Sequence, residues 1–356
     1  MTEPAPAPAQ QERLRIATYN VAWFNNLFDN HGRLLEDREL SARYQISRAE
    51  QLTALGIVFT ALDADAVMVI EAPATNGKRS SVKALERFAA HYGLRTRRAI
   101  TGFTSETEQE ISLLYDPDRL SARHAPKGAT TRKKRAAAAP RFDGTFRYDL
   151  DADATPETIR FSKPPLELAV TTAAGRKLRL IGVHVKSKSP YGARNPAEVS
   201  RIAIANRRKQ LAQCIWLRQR VVEHLTAGDS LIVLGDFNDG PGLDEYERLF
   251  GHSGIEIVLG MEAEPALQLH DPHAQMALTQ RVGVAPTSAR FYLAPQQRYF
   301  EALLDFIMVS PDLAATAPRW RIWHPLNDPA CWKVPELREA LLTASDHFPV
   351  TLDLWL

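Results

Sequence analysis

Leu231-Ile232-Val233-Leu234-Gly235-Asp236-Phe237-Asn238-Asp239-Gly240-Pro241 is the stretch on which the reading of this chain turns. Four consecutive apolar residues rich in Ile and Val, stopped by Gly235, predict a buried strand that ends in a turn. The turn presents a carboxylate and a carboxamide two residues apart. In an extended segment residues i and i+2 point the same way, so Asp236 and Asn238 can face one small target while Phe237 packs behind them. Taken alone, the same residues would suit an ordinary turn.

Short stretches of the same character recur along the chain. They are Thr18-Tyr19-Asn20-Val21, Val69-Ile70-Glu71-Ala72, Gly182-Val183-His184-Val185-Lys186-Ser187, Leu304-Asp305-Phe306-Ile307 and Ser345-Asp346-His347-Phe348-Pro349. Each polar residue closes or follows an apolar run, the position from which a rigid scaffold delivers side chains into a shared cleft.

With 356 residues the chain can bury a large core, and polar motifs spread over its whole length favour one domain. We expect a disordered leader over 1–13, then a single domain over 14–356 with loop insertions at 25–47, 121–160 and 251–298. The 44 basic and 42 acidic residues nearly cancel, so net charge neither requires nor excludes a polyanionic partner. Cys214 and Cys331 stand alone, without redox or metal-ligand spacing. The Pro- and Ala-rich start does not resemble a secretory signal, and no apolar run has the length of a membrane span, so a soluble, cytoplasmic protein is expected.

The periodicity predicts a strand over Leu14–Val21, a helix over Arg48–Leu62, a strand ending at Glu71 and a helix carrying Val82, Leu85, Phe88 and Ala89 on one face. Between them, 25–47 reads as a solvated loop. Ile111–Tyr115, Leu166–Val170 and Leu178–Val185 read as strands. Asn195, Pro196 and Glu198 mark the start of a helix running to about Leu225, with Ile202, Leu211, Ile215, Val222 and Leu225 inward and its arginines mostly on a solvated face. Leu243–Phe250 suggests a short helix, 251–297 reads as irregular, Ala302–Val309 as a strand, the segment around Trp320, Trp323 and Trp332 as loop, and Pro349–Leu356 as the last strand.

Between Ser121 and Phe142 the basic residues, Arg132, Lys133, Lys134 and Arg135 among them, have no acidic neighbour, and Ala136–Pro140 adds no core. Two readings stand: a loop neutralised by the acidic run that follows, or a contact to a phosphate backbone.

The polar residues at strand ends are Asn20, Glu71, His184, Asp236, Asn238, Asp305, Asp346 and His347. Oxygen-rich groups with few nitrogens suit a hard cation, Mg²⁺ or Mn²⁺, better than zinc. Neither Ser187 nor Ser345 has the strained G-x-S-x-G setting of a nucleophile. Metal-assisted attack by water on a phosphodiester is the chemistry this set suits. Asp305 is the expected partner that holds His347 protonated.

The ordered series T-Y-N-V, V-I-E, H-V-K-S, G-D-F-N-D, L-D-F-I and S-D-H-F-P-V resembles the endonuclease/exonuclease/phosphatase superfamily, which groups deoxyribonuclease I, exonuclease III-like repair nucleases, sphingomyelinases and inositol polyphosphate 5-phosphatases. The resemblance spans Arg15 to Leu354. It implies an α/β fold, a four-layer sandwich of two packed, mostly antiparallel sheets flanked by helices. It implies Glu71 as principal metal ligand with Asn20 and Asp346 close to the ion, and Asp236 as the residue that activates water. It further implies Asn238 as positioning group, His347 with Asp305 on the phosphate, His184 as a second imidazole at the phosphate or leaving group, and Ser187 as a polar phosphate contact. Val69-Ile70-Glu71 lacks the Gln that often precedes the metal Glu. Ala22 where repair nucleases tend to carry an acidic residue, and His184 in place of a tyrosine, argue against a dedicated abasic-site enzyme.

The leading expectation is therefore a Mg²⁺- or Mn²⁺-dependent DNA endonuclease, with Arg132–Arg135 on the DNA. The alternatives are a phosphatase or phospholipase C-type hydrolase on inositol-phosphate or sphingomyelin-like substrates, and a non-catalytic nucleic-acid-binding module.

Overall fold

The computed structural model describes residues 12–130, 138–148, 157–240, 251–279, 285–293 and 297–356. Two βαβ units form its frame. In the first, β1 (Arg13–Asn20) leads through α1 (Arg48–Leu62) to β2 (Ala66–Pro73), parallel to β1. α1 forms where read, because Ser47 and Glu50 close a capping box and Leu52, Leu55, Val58, Phe59 and Leu62 share one buried face. α2 (Ser81–His91) and the strands β3 (Arg98–Thr101), β4 (Gln109–Tyr115), β5 (Leu120–His124), β6 (Phe146–Tyr148), β7 (Glu157–Ile159) and β8 (Leu166–Thr172) follow. The second unit is β9 (Lys177–His184), α3 (Pro196–Thr226) and β10 (Leu231–Asp236), again with parallel strands. The Asn195 side chain accepts from the Glu198 amide, and Pro196 opens α3.

The remainder runs through α4 (Gly254–Leu259), α5 (Pro272–Thr279), a hairpin of β11 (Ala289–Leu293) and β12 (Arg298–Ala302), β13 (Asp305–Val309), α6 (Pro311–Ala314), β14 (Arg319–Ile322), α7 (Pro329–Trp332), α8 (Pro335–Ala344) and β15 (Val350–Trp355). One sheet has six strands in the order β14-β15-β1-β2-β4-β3, the other five in the order β13-β10-β9-β8-β5. Each contains a single parallel pair, β1/β2 or β9/β10.

Three apolar layers separate four structural ones. Leu14, Ile16, Met68 and Ile70 of the first sheet meet Leu168, Leu180, Ile232 and Leu234 of the second between the sheets. Each such fully buried side chain contributes on the order of 2 kcal/mol of transfer free energy. α1, α2 and α8 cover the outer face of the first sheet, while α3, α4 and α5 cover the second. The α/β sandwich is thus the expected one.

Several local expectations are corrected. Chain order begins before the end of the expected leader: the Glu12 amide donates to the Leu356 carbonyl at 3.1 Å, and β1 starts at Arg13. The segment 25–47 is not merely solvated; Leu27, Phe28 and Ser41 are buried in it. The basic segment opens with a strand, β5, and closes with Ala139, Pro140 and Phe142 buried, because Pro140 accepts from the Trp216 indole at 2.9 Å. Of the five residues read as the inward face of α3, Leu211 alone is fully buried; Trp216, Leu217 and Val221 fill that face, and Arg207 and Arg220 are buried rather than solvated. The 251–297 segment holds α4, α5 and β11, and Trp320 lies on an edge strand and Trp332 on a helix. The strand read as Ala302–Val309 is divided, Ala302 ending β12 and Asp305 opening β13. The helix read over Leu243–Phe250 lies outside the described residues. No helix among the described residues is long and apolar enough to cross a membrane.

Candidate active site

Parallel pairing places the carboxyl ends of two strands side by side, and here it happens once in each sheet. Asn20 ends β1 opposite Ile70, one residue before Glu71; His184 ends β9 directly opposite Asp236 at the end of β10. Antiparallel neighbours complete the set, since Asp305 opens β13 opposite Asp236 and His347 lies just before β15. Six side chains from five strands and one turn thereby reach the same end of the sandwich.

Local backbone geometry aims them. Glu71 sits at a shift of register between β2 and β4 with φ of 63°, so its carboxylate leaves the alternation of its strand. Asn238 has φ of 49°, which turns the chain after Asp236 instead of extending it. Such left-handed values in non-glycine residues cluster at functional sites. Gly235, with φ of 143°, lies so close to β9 that an added Cβ would fall 2.0 Å from the Val183 carbonyl oxygen. Only glycine fits there, and its absence of a side chain lets Asp236 sit beside His184.

Asp236 is the centre of the cluster, 1% exposed. Its Oδ2 accepts from Asn20 Nδ2 at 2.9 Å and Asn238 Nδ2 at 3.2 Å, and its Oδ1 accepts from the Asn238 amide at 2.7 Å. His184 Nε2 lies 3.5 Å and His347 Nε2 4.0 Å from Asp236 Oδ2. His347 Nδ1 is 2.8 Å from Asp305 Oδ2. Burial pushes the Asp236 carboxyl above the usual carboxylate range, the His347 charge and the amide donors pulling the other way. For His347 burial acts downward, but Asp305 and Asp236 outweigh it and hold the imidazole protonated above its ordinary range. His184 shifts the other way, well below the ordinary histidine value, through burial and then the charges of Lys163 and His347.

Two serines lock these groups. Ser288 Oγ accepts from the Leu304 and Asp305 amides at 3.0 and 2.9 Å and donates to Asp305 Oδ2 at 2.8 Å. Ser345 Oγ donates to the Asn20 carbonyl at 2.8 Å and accepts from the Ala22 and His347 amides at 3.1 and 3.2 Å. Ser345 thus ties the first strand to the last turn. Sequence reading overlooked Ser288 altogether, because it lies in the stretch read as irregular. It overlooked Lys163 as well, whose ammonium lies 3.3 Å from His184 Nε2; the Pro164-Pro165 pair before an apolar strand was the available signal.

The other expected residues are tied less closely to the cluster, although the Asp346 charge acts on both Glu71 and His347. Ser187 Oγ accepts from the Ser189 amide, and among the described residues it has no hydrogen bond to the cluster. Asp346 faces Arg43 at 3.6 Å. Arg132, Lys133, Lys134 and Arg135 lie outside the described residues.

The donor set fits a hard cation. Asn20 Oδ1 is buried without a hydrogen-bond partner, and the Glu71 carboxylate, held above its usual range chiefly by burial, has one long approach from the Trp23 amide at 3.5 Å. Buried oxygens without donors are what Mg²⁺ or Mn²⁺ takes as ligands. Candidate ligand atoms of Asp236, Asp305 and His347 also lie within 4.8 Å of one another. In that group Asp305 and His347 Nδ1 already satisfy each other, so we read them as a hydrogen-bonded pair.

A model of the endonuclease/exonuclease/phosphatase family matches residues 17–347. The chain belongs to this family. Its members are generally divalent-metal-dependent hydrolases of phosphoester bonds. No curated protein matches the chain. Among solved structures, the human Nocturnin catalytic domain with bound sulfate is 14% identical, with 96% of this chain and 94% of that one covered and a TM-score of 0.49. D. rerio TDP2 in complex with a single-strand DNA product is 12% identical, with 97% and 99% covered and a TM-score of 0.49. A mannosyl-6-phosphatase from Bacteroides thetaiotaomicron is 13% identical, with 96% and 100% covered and a TM-score of 0.49. These likenesses assign no substrate to this family member.

Proposed function

We propose that this family member is a Mg²⁺- or Mn²⁺-dependent phosphodiesterase acting on DNA as an endonuclease, in which water attacks the phosphorus, one P–O ester bond breaks and the leaving oxygen takes a proton from solvent. One observation carries the reading: a buried carboxylate, Asp236, held by two amide side chains and flanked by two imidazoles, beside the unpartnered Asn20 Oδ1 and a Glu71 carboxylate with one long amide approach. Asp236 takes the proton of the attacking water, and its raised proton affinity suits a general base working near neutral pH. Asn238 fixes the orientation of that carboxylate. His347, kept protonated by Asp305, donates to a phosphate oxygen as negative charge grows on it. His184 stands on the side of Asp236 nearest Glu71 and completes the surroundings of the phosphate. Asn20, Glu71 and Asp346 would hold the cation, which when bound offsets the phosphate charge and makes a bound water more acidic. The preference for DNA is supported by the basic Arg132–Arg135 run, whose charge suits a phosphate backbone.

The test is a substrate panel with Mg²⁺ or Mn²⁺: plasmid DNA, RNA, bis-p-nitrophenyl phosphate, sphingomyelin, inositol phosphates and sugar phosphates. Nicking of plasmid, abolished by EDTA and by Asp236→Ala, is the expected result. Cleavage confined to lipid, inositol or sugar phosphates would overturn the nuclease assignment. Activity that survives EDTA would overturn the metal-dependent mechanism.

A further inference from the structure

Lys163 occupies the segment Arg160-Phe161-Ser162-Lys163-Pro164-Pro165 between β7 and β8, which is held at every step. The Arg160 carbonyl accepts from Gln213 Nε2 at 3.0 Å, and the Ser162 carbonyl from the Glu106 amide at 2.8 Å. Phe161 is buried against Phe142 and Trp216, with ring centroids 5.5 and 5.1 Å away. The two prolines fix their own φ and restrict the residue before them. A long, flexible side chain therefore starts from a rigid backbone and ends at the catalytic cluster, 3.3 Å from His184 Nε2.

That contact constrains the proton positions. An ammonium has only protons to give, so His184 Nε2 must accept, and the imidazole proton resides on Nδ1. Nδ1 is buried and without a hydrogen-bond partner. On the Asp236 side His184 thus offers no proton of its own, whereas Lys163 keeps two N–H donors beyond the one directed at the ring. Among the described residues no carboxylate forms an ion pair with Lys163, although Glu71 and Asp236 are near enough to act on it through their charges. A largely buried cation next to the reacting centre, lacking a protein anion of its own, is a place for a substrate anion.

We propose that Lys163 contacts the substrate: its ammonium binds a non-bridging oxygen of the phosphate, and His184 is the positioning residue that holds it there. This rests on the phosphoesterase reading and redistributes its roles, with Lys163 and His347 as the two cationic donors on the phosphate.

The experiment measures binding of inorganic phosphate to the full chain by calorimetry in Mg²⁺, beside hydrolysis of bis-p-nitrophenyl phosphate, for the parent protein, Lys163→Met and Lys163→Arg. A charge-assisted hydrogen bond lost in Lys163→Met should weaken phosphate binding and lower kcat/KM by about tenfold or more, while Lys163→Arg stays within roughly threefold of the parent. Thermal midpoints should remain equal in all three. Unchanged phosphate binding in Lys163→Met overturns the proposal, as does an equal loss in both variants accompanied by a fall in thermal midpoint, which marks a structural lysine. If the parent binds phosphate through Lys163 but hydrolyses no phosphoester, the phosphoesterase reading fails and the anion contact stands.

Discussion

Two of the regions in which this protein buries charged groups treat them in opposite ways. Beneath α3, on the outer face of the five-stranded sheet, Arg220 Nε lies 3.1 Å from Glu167 Oε1, and its Nη2 donates to the carbonyls of Lys127, Ala139 and Pro140 at 2.8, 3.1 and 3.1 Å. Asp229 next to it receives Lys127 at 3.3 Å, Arg179 at 3.4 Å and His224 at 2.8 Å. Each anion there meets a cation of the protein. In the cleft, among the described residues, Asn20 Oδ1, Asp305 Oδ1 and His184 Nδ1 are buried without hydrogen-bond partners, and no carboxylate forms an ion pair with Lys163. Burying such groups costs free energy unless something pairs with them. The first region matches its charges within the protein, while the second leaves groups unpaired, as the proposed binding of a substrate and an ion requires.

The sharpest break in that comparison comes from Asp236→Ala. Loss of the proposed general base should lower kcat by roughly a thousandfold, with the denaturation midpoint unchanged or raised, since a buried carboxylate is removed. Glu167→Gln should do the reverse. Arg220 then keeps Glu223 but loses its more deeply buried carboxylate, which should cost about 2 kcal/mol in urea unfolding, while kcat/KM of the folded protein is unaltered.

A third buried carboxylate lies between these extremes. Asp271 accepts from the His273, Ala274 and Ile307 amides at 2.9, 3.0 and 3.0 Å, but has no cation, and burial pushes its value up to about 6. A folded-state value above the unfolded one means that the native state holds the proton more tightly. Its contribution is therefore favourable below the ordinary carboxylate range and is lost as pH rises from about 4 to about 6. Asp271→Asn should flatten the stability profile over that window by on the order of 2 kcal/mol, as read by thermal unfolding at each pH.

The smallest effect belongs to a group that supports the cleft without carrying charge. Ser288→Ala removes the hydroxyl from Asp305 and should cost about 1 kcal/mol of stability. We expect a further fall in kcat of about tenfold with KM little changed, because Asp305 then orients His347 less firmly. A fall in stability with kcat intact would leave Ser288 as a turn residue only.

Legibility along the chain follows the range of the forces involved. The capping box and 3.6-residue period of 48–62 are local, and α1 has the limits read from them. Strand ends marked by Asn20, His184 and Asp236 were equally readable, because an apolar run stopped by a polar residue is a local signal. The face of α3 was not. Arg207 and Arg220 look solvated in sequence, and they are buried because Asp239 and Glu167 meet them from distant segments. β14 escaped reading because an edge strand of four residues has too short a period to register.

By itself, then, the sequence determined the apolar central strands, the two crossover helices and the set of polar residues at strand ends, all of which depend on neighbours a few residues away. What the tertiary structure decided is how these residues meet. Asn20 and Asp236 are 216 positions apart and hydrogen-bonded at 2.9 Å, Glu71 is re-aimed by a register shift against β4, and Ser288 and Lys163 join the cluster from segments with no motif of their own. The partner of a buried polar group is fixed by packing between sheets, and no local pattern encodes it.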